Sequence, residues 1–179
     1  MKINHKKISI SKQVLYCLSE ILGRGVKSYW ELMPSKINRK LWGSPESYSI
    51  EERFQHERQI KRALYEMKKR KLLEIKSVGE KIFCGLTDKG GQEAVLVKTK
   101  FKKINSKGEY CLVCFHIPEA VRYVRWALRR FLKTADFELL QKSVWFTNKD
   151  VFDEIQEYIK SLKVGKWVTV IRAKFIDKT

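Results

Sequence analysis

A row of basic and amide side chains follows one predicted helix between residues 50 and 71. At about 100° per residue, Arg58, Arg62, Tyr65 and Lys69 fall within roughly 60° of one another around its axis. In the DNA major groove, arginine bonds guanine and glutamine bonds adenine, while lysine holds phosphates. The predicted base contacts are Gln55, Arg58, Gln59 and Arg62, the predicted phosphate contacts are Lys69, Lys76 and Lys81, and Tyr65 belongs to the same DNA-binding row. A solvated helix face without a ligand is the alternative.

The residues that could carry catalysis or hold a metal do not form a recognisable set. The three histidines, at positions 5, 56 and 116, are scattered, and no Ser/His/Asp arrangement can be argued from them. Cys111 and Cys114 lie inside a strand pattern, where side chains three residues apart face opposite ways. With Cys17 and Cys84, they are expected to be buried reduced thiols. The sequence therefore predicts no catalytic residue, no metal site and no cofactor.

The charge of the chain points to a polyanionic partner. The net charge is +18 over 179 residues, and the hydrophobic content of 44% is ample for globular cores. An excess of this size favours nucleic acid through counterion release. The alternative is a lysine-rich organism whose protein surfaces are all basic. No window of 18 apolar residues and no secretory signal is found, so a soluble cytoplasmic protein without membrane contact is expected.

The first half of the chain has the order of a winged helix-turn-helix. A first helix is predicted from a cap at Ser11 to Gly23. A short turn from Ser28 to Pro34 follows, and residues 35–42 make another.

The longest helix is predicted to begin at a capping box formed by Ser49 and Glu52 and to continue to about Lys71. Its buried positions are Ile60, Ala63, Leu64 and Met67. Two strands over 72–78 and 81–87 then form a hairpin, and Thr87 caps a helix through about Val97. The predicted organisation is a winged-helix domain over 1–97, a linker over 98–109 and a second domain over 110–179.

The second half has the β-α-β-β-α-β order of a ferredoxin-like domain, which makes the fold class α+β. A strand over 110–117 precedes a helix with Pro118 at its first position. Two strands over 137–147, a helix over 149–162 and one or two strands over 166–176 complete the pattern.

The strand over 110–117 carries apolar side chains at both odd and even positions, so both of its faces must be covered. One layer of helices covers only one face, and a second copy of the domain is the simplest source of the other cover. We therefore expect a homodimer whose interface includes Leu112, Cys114, Trp145 and Trp167. For the helical row Arg122, Arg125 and Arg129, three interpretations stay open: subunit contact, phosphate contact or inert surface.

Residues 112 to 146 are similar to the core of the small CRISPR adaptation nuclease. The matching residues are Phe115, His116 and Ile117 at the strand end, Arg122, Arg125 and Arg129 on the helix, and Gln141, Ser143 and Val144 in the strand pair. Joined to a preceding winged helix, this module resembles the PaaX-like transcriptional repressors. The resemblance implies an N-terminal DNA-binding domain and a domain of the nuclease-like fold. It leaves the small-molecule effector unknown.

In the nuclease family, an Asp at the place of His116 is thought to bind a divalent metal with its copy in the partner subunit. Imidazole suits softer metals than Mg²⁺. We therefore expect no Mg²⁺-dependent nuclease, and a structural hydrogen bond for His116. The predicted function is that of a transcriptional regulator that binds double-stranded DNA sequence-specifically. We expect it to act as a dimeric repressor whose half-sites form an inverted repeat. The alternatives are a divergent metal-dependent nuclease and a DNA-binding component of a CRISPR-adaptation-like complex.

Overall fold

The computed structural model describes residues 8–22 and 30–174. The chain forms two compact units, Met1–Val97 and Lys98–Thr179. Each unit has helices and an antiparallel sheet, so the predicted α+β class is confirmed. Within the described ranges, no helix is long and apolar enough to span a membrane.

The N-terminal unit has three helices ahead of a wing-like hairpin, in the order predicted. Its elements are α1 (Ile10–Leu22), β1 (Trp30–Glu31), α2 (Pro34–Trp42), α3 (Ile50–Lys69), β2 (Leu73–Val78), β3 (Lys81–Leu86) and α4 (Asp88–Phe101), of which residues 98–101 fall in the C-terminal unit. The three strands form one antiparallel sheet in the order β1-β3-β2.

The capping box predicted for α3 is present in both directions. The Ser49 hydroxyl accepts a hydrogen bond from the Glu52 amide, and the Glu52 carboxylate accepts one from the Ser49 amide. These bonds satisfy amides that have no partner within the helix. The four apolar positions predicted to be buried on α3 are all buried.

The start of α1 differs from the prediction. The helix begins at Ile10, so Ser11 lies inside it and does not cap it. Its first turn closes instead on the main-chain carbonyl of Ser9, which accepts a bond from the Gln13 amide. Gly23 and Ser28, where a helix end and a capping box are predicted, lie outside the described residues.

The segment before α2 is also different from the prediction. Trp30 and Glu31 form a short strand paired with β3, not part of a helical turn. Pro34 begins α2 and does not end a turn. Its fixed φ and missing N–H suit the first helical position, where an amide would have no intrahelical partner.

The hairpin and α4 are joined by a close contact between main chains. Thr87 caps α4 as predicted, because its hydroxyl accepts a bond from the Gly90 amide and donates one to the Lys71 carbonyl. A Cβ atom at Gly90 would lie 2.0 Å from the Leu72 carbonyl oxygen, whereas one at Gly91 would have nothing within 4 Å. Only glycine fits at Gly90. The helix then continues to Phe101, four residues further than predicted.

The C-terminal unit has the predicted β-α-β-β-α-β order. Its elements are β4 (Tyr110–Phe115), α5 (Arg122–Thr134), β5 (Glu138–Gln141), β6 (Val144–Thr147), α6 (Phe152–Leu162) and β7 (Val168–Ala173). The four strands form an antiparallel sheet in the order β5-β6-β4-β7. Pro118 is not at the first position of α5, because a 3-10 turn over Glu119–Val121 intervenes.

Both helices of this unit cover the same face of the sheet. Phe131 of α5 stacks on Tyr158 of α6 with ring centroids 3.6 Å apart. On this face, β4 places Cys111, Val113 and Phe115 in the core. The opposite face, here called the open face, carries the alternate residues of β4, and their side chains are only half-buried.

Candidate nucleic-acid interface

The outward side of α3 brings together the predicted DNA-binding row. The exposed members are Gln55, Arg58, Arg62, Tyr65 and Lys69, and Gln59 is half-buried at the edge. The cationic members of this row, Arg58, Arg62 and Lys69, form no ion pair with any described residue. We call this surface the α3 basic face.

The position of α3 is fixed by packing on its opposite side. Ile60 and Met67 are almost fully buried. His56 stacks in parallel on Trp42 of α2, with ring centroids 4.2 Å apart, and meets Tyr48 edge-on at 5.1 Å. The Tyr48 hydroxyl donates to the Trp42 carbonyl. This aromatic group, which the sequence patterns did not reveal, holds α2 and α3 together.

The charge at the two ends of α3 follows the helix dipole. Glu51 and Glu52 lie in the first turn, and Lys68 and Lys69 lie in the last. Acidic groups at the amino end and basic groups at the carboxyl end stabilise a helix by about 0.3–1 kcal/mol each. These end charges therefore help to stabilise the helix that carries the α3 basic face.

The two predicted phosphate contacts on the hairpin are in different settings. Lys76 is exposed on β2 opposite Phe83. Lys81 is exposed at the start of β3, and its ammonium group lies 3.7 Å from the Glu31 carboxylate. Gly79, at φ +58°, makes the tight turn between the strands. Both lysine side chains are therefore exposed on the hairpin, on either side of its turn.

Two of the three arginines in the predicted row on α5 make contacts within the unit, and the third is exposed to solvent. Arg125 pairs with the Glu119 carboxylate at 2.5 Å and donates to the Ile117 carbonyl. Arg129 donates to the Lys142 carbonyl at 3.0 Å. Arg122 is exposed. Two of the three arginines therefore brace the ends of neighbouring strands, which was not among the three interpretations of the sequence.

Two aromatic residues of α5 are exposed beside these arginines. Tyr123 is 72% exposed and Trp126 is 70% exposed. Trp126 is therefore not a core residue of this unit. The helix has no acidic residue, so its outer side is basic and aromatic.

The four predicted interface residues do not share one surface. Leu112 and Cys114 lie on the open face, half-buried. Trp145 pairs with Val113 and lies on the helix-covered face, where it is buried. Trp167 lies in a 3-10 turn before β7, with the Lys166 ammonium 4.3 Å from its ring centroid.

Ile171 of β7 also lies on the open face, opposite Leu112, and is 42% exposed. Phe146 on the same face packs edge-on against Tyr110. Phe146 is itself buried, so the accessible apolar surface of the open face is that of Leu112, Cys114 and Ile171.

The cysteines are reduced, and three of the four are buried. Burial raises the pKa of the Cys17 and Cys84 thiols to about 11 and that of Cys111 to about 12. A thiol with such a pKa is a poor nucleophile at neutral pH. Cys114 is half-buried and lies on the open face.

The side-chain hydrogen bond expected for His116 is not found: its exposed imidazole bonds no described residue. Only its main-chain amide donates, to the Trp167 carbonyl at 2.9 Å. In the part of the chain that the structure describes, no three His, Cys, Asp or Glu side chains come together as a metal site.

Comparison with known proteins places the C-terminal unit. No curated protein matches the chain. Residues 104–179 match the family model described as the PaaX protein central Cas2-like domain. The match covers β4 through β7, the antiparallel sheet and its two helices described above. The C-terminal unit of this chain is therefore a PaaX-type central Cas2-like domain.

Proposed function

We propose that this protein is a sequence-specific DNA-binding transcriptional regulator that acts as a dimeric repressor. The PaaX family suggests a transcriptional regulator. The observation that carries the proposal is the α3 basic face, a cationic surface whose arginines and lysine pair with no carboxylate in the described ranges, on the long helix ahead of a wing-like hairpin. In such a unit the long helix enters the major groove and the hairpin contacts the backbone.

The chemistry of the α3 basic face fits this role. Arg58 and Arg62 are four residues apart, so their Cα atoms lie about 6 Å apart along the helix axis. That distance spans roughly two base pairs at about 3.4 Å each. Gln55 precedes them by one turn and supplies an amide for adenine. Lys76 and Lys81, exposed on the hairpin, are the proposed phosphate contacts.

The first test is selection of bound sequences from a pool of random duplexes by the full chain. A repressor of this kind should recover one motif arranged as an inverted repeat, because a two-fold dimer presents two copies of α3. Recovery of no motif, with weak binding that salt abolishes, would contradict sequence-specific recognition.

The second test removes the two arginines together. The double variant Arg58→Ala with Arg62→Ala should lose about 2–6 kcal/mol of binding to the recovered motif, since each bidentate arginine contributes about 1–3 kcal/mol. The matched control is Lys142→Ala with Lys160→Ala, which removes the same charge from the other unit. Unchanged affinity of the arginine variant in a gel-shift titration would refute the assignment.

The dimer part of the proposal is supported by the open face of the C-terminal sheet. Ile171 and Leu112 are paired across β4 and β7 and leave apolar surface accessible. An isologous contact between two open faces would bury this surface in both copies. Ile171→Glu should then convert a dimer to a monomer in sedimentation at micromolar concentration. Leu139→Glu, an equally apolar and exposed position on the other face, is the control and should remain dimeric.

A further inference from the structure

The first two turns of α3 expose two large apolar side chains. Ile50 is 66% exposed and Phe54 is 62% exposed. They are four residues apart, so they lie one above the other on the helix. Neither belongs to the buried side of α3, which begins at Ile60. A single exposed apolar residue needs no explanation, but an adjacent pair beside a cationic surface does.

Phe54 borders the α3 basic face. At about 100° per residue, Phe54 lies about 40° from Arg58 around the axis and about 6 Å from it along the axis. Tyr65 lies about three turns from Phe54 on the same side of the helix and is 66% exposed. A groove that receives Arg58 therefore also receives the ring of Phe54.

The neighbouring charges disfavour an apolar protein as the occupant of this surface. Charged side chains surround the ring: Glu51 and Glu57 lie three residues to either side, and the exposed Arg58 and Lys61 lie one and two turns after it. Burying their charges against an apolar partner would remove their water without replacement. A groove that carries both anionic backbone and apolar groups matches the surface better. In the DNA major groove the apolar group available is the C5-methyl of thymine.

We propose that Phe54, supported by Ile50, is a specificity-determining residue that contacts thymine methyl groups. This inference rests on the proposed function. The spacing along α3 places the thymine within about two base pairs of the guanine contacted by Arg58. The recognised half-site then contains a thymine within about two base pairs of a guanine. The thymine is recognised through burial of its methyl group and the guanine through hydrogen bonds.

The test replaces thymine by uracil, which removes the methyl group and leaves all hydrogen-bonding groups unchanged. The probe is the duplex recovered in the random-pool selection, remade with one uracil at a time. The full chain should lose about 4-fold in affinity for each contacted methyl, which corresponds to about 0.8 kcal/mol. Positions outside the Phe54 contact should show no change.

Variants connect the effect to the residue. Phe54→Ala should bind thymine and uracil duplexes equally, and Phe54→Leu, which keeps an apolar side chain, should retain most of the difference. Leu139→Ala, an exposed apolar residue of the other unit, should leave the difference unchanged. Because Phe54 is exposed, these substitutions should not affect folding, which thermal unfolding checks.

The outcomes separate this inference from the proposed function. Specific binding that is insensitive to uracil at every position overturns the role of Phe54 and leaves sequence-specific recognition intact. A uracil effect of the same size in Phe54→Ala also overturns it, because another residue then contacts the methyl group. Failure to recover any motif overturns both.

Discussion

The contact between Gly90 and Leu72 gives a sharp test of the N-terminal unit. In Gly90→Ala, the new Cβ would lie 2.0 Å from the Leu72 carbonyl oxygen and 2.9 Å from its carbon. An ordinary contact of this kind is 3.4 Å or more, so β2 and α4 would have to separate by more than 1 Å. The Leu72 carbonyl also accepts the Thr87 amide, and the displacement would weaken that bond.

The expected magnitude follows from two opposing effects. Overpacking a rigid site costs about 1–3 kcal/mol or more, and the loss of a main-chain hydrogen bond adds about 1 kcal/mol. Replacing glycine by alanine in a helix stabilises the folded state by about 0.5–1 kcal/mol, which offsets part of this cost. We expect Gly90→Ala to destabilise the unit by about 2–3 kcal/mol.

Gly91 is the matched control, one residue further along the same helix. A Cβ there meets nothing within 4 Å, so Gly91→Ala should stabilise the unit by about 0.5–1 kcal/mol. Hydrogen exchange of the full chain, followed by mass spectrometry of peptides from β2 and α4, measures the stability change in each of the two variants. The two variants should differ by about 3 kcal/mol, or roughly 100-fold in protection. Equal protection in the two variants would refute the argument.

The other predictions concern a helix cap, a buried carboxylate and the thiols. Ser49→Ala removes one side of the α3 capping box and should cost about 1 kcal/mol of unfolding free energy in urea titration; no change would show that water replaces the cap. Lys102→Met leaves Glu154 unpaired, with its side chain 4% exposed, and should cost about 1–3 kcal/mol, which adding Glu154→Gln should largely recover. Burial raises the pKa of Cys111 from 9.0 to about 12, so the unfolded chain ionises first. The contribution of the buried thiol to the free energy of unfolding is complete below pH 9 and is lost as the pH rises from about 9 towards 12. The urea midpoint should therefore fall over that range, and fall less in Cys111→Ala.

Periodicity predicted the parts of the fold that are governed by burial. The apolar spacing of α3 corresponds directly to buried positions. In β4, which is apolar at both odd and even positions, only alternate residues are buried within the unit. The capping residues Ser49 and Thr87 could be recognised because their bonds are local. Pro34 was misassigned because proline can both end one turn and begin a helix, and only the pairing of Trp30 with β3 decides between them.

The candidate interface was predictable in part. A helical projection was sufficient to bring Arg58 and Arg62 together on one exposed side. The sheet register could not be obtained in this way, so Trp145 was assigned to the same surface as Leu112 although the two lie on opposite faces. The bracing roles of Arg125 and Arg129 depend on carbonyl groups of distant loops, which no local pattern contains.

The composition of α5 has a consequence for the response of the C-terminal unit to salt. Its thirteen residues include Arg125, Arg129 and Lys133 at successive intervals of four, and no carboxylate. Like charges at this interval repel across each turn. Because Arg125 is paired with Glu119, the remaining repulsion is chiefly between Arg129 and Lys133. Added salt screens that repulsion. The stability of α5 should therefore increase at high salt concentration, the condition under which a cationic protein dissociates from DNA.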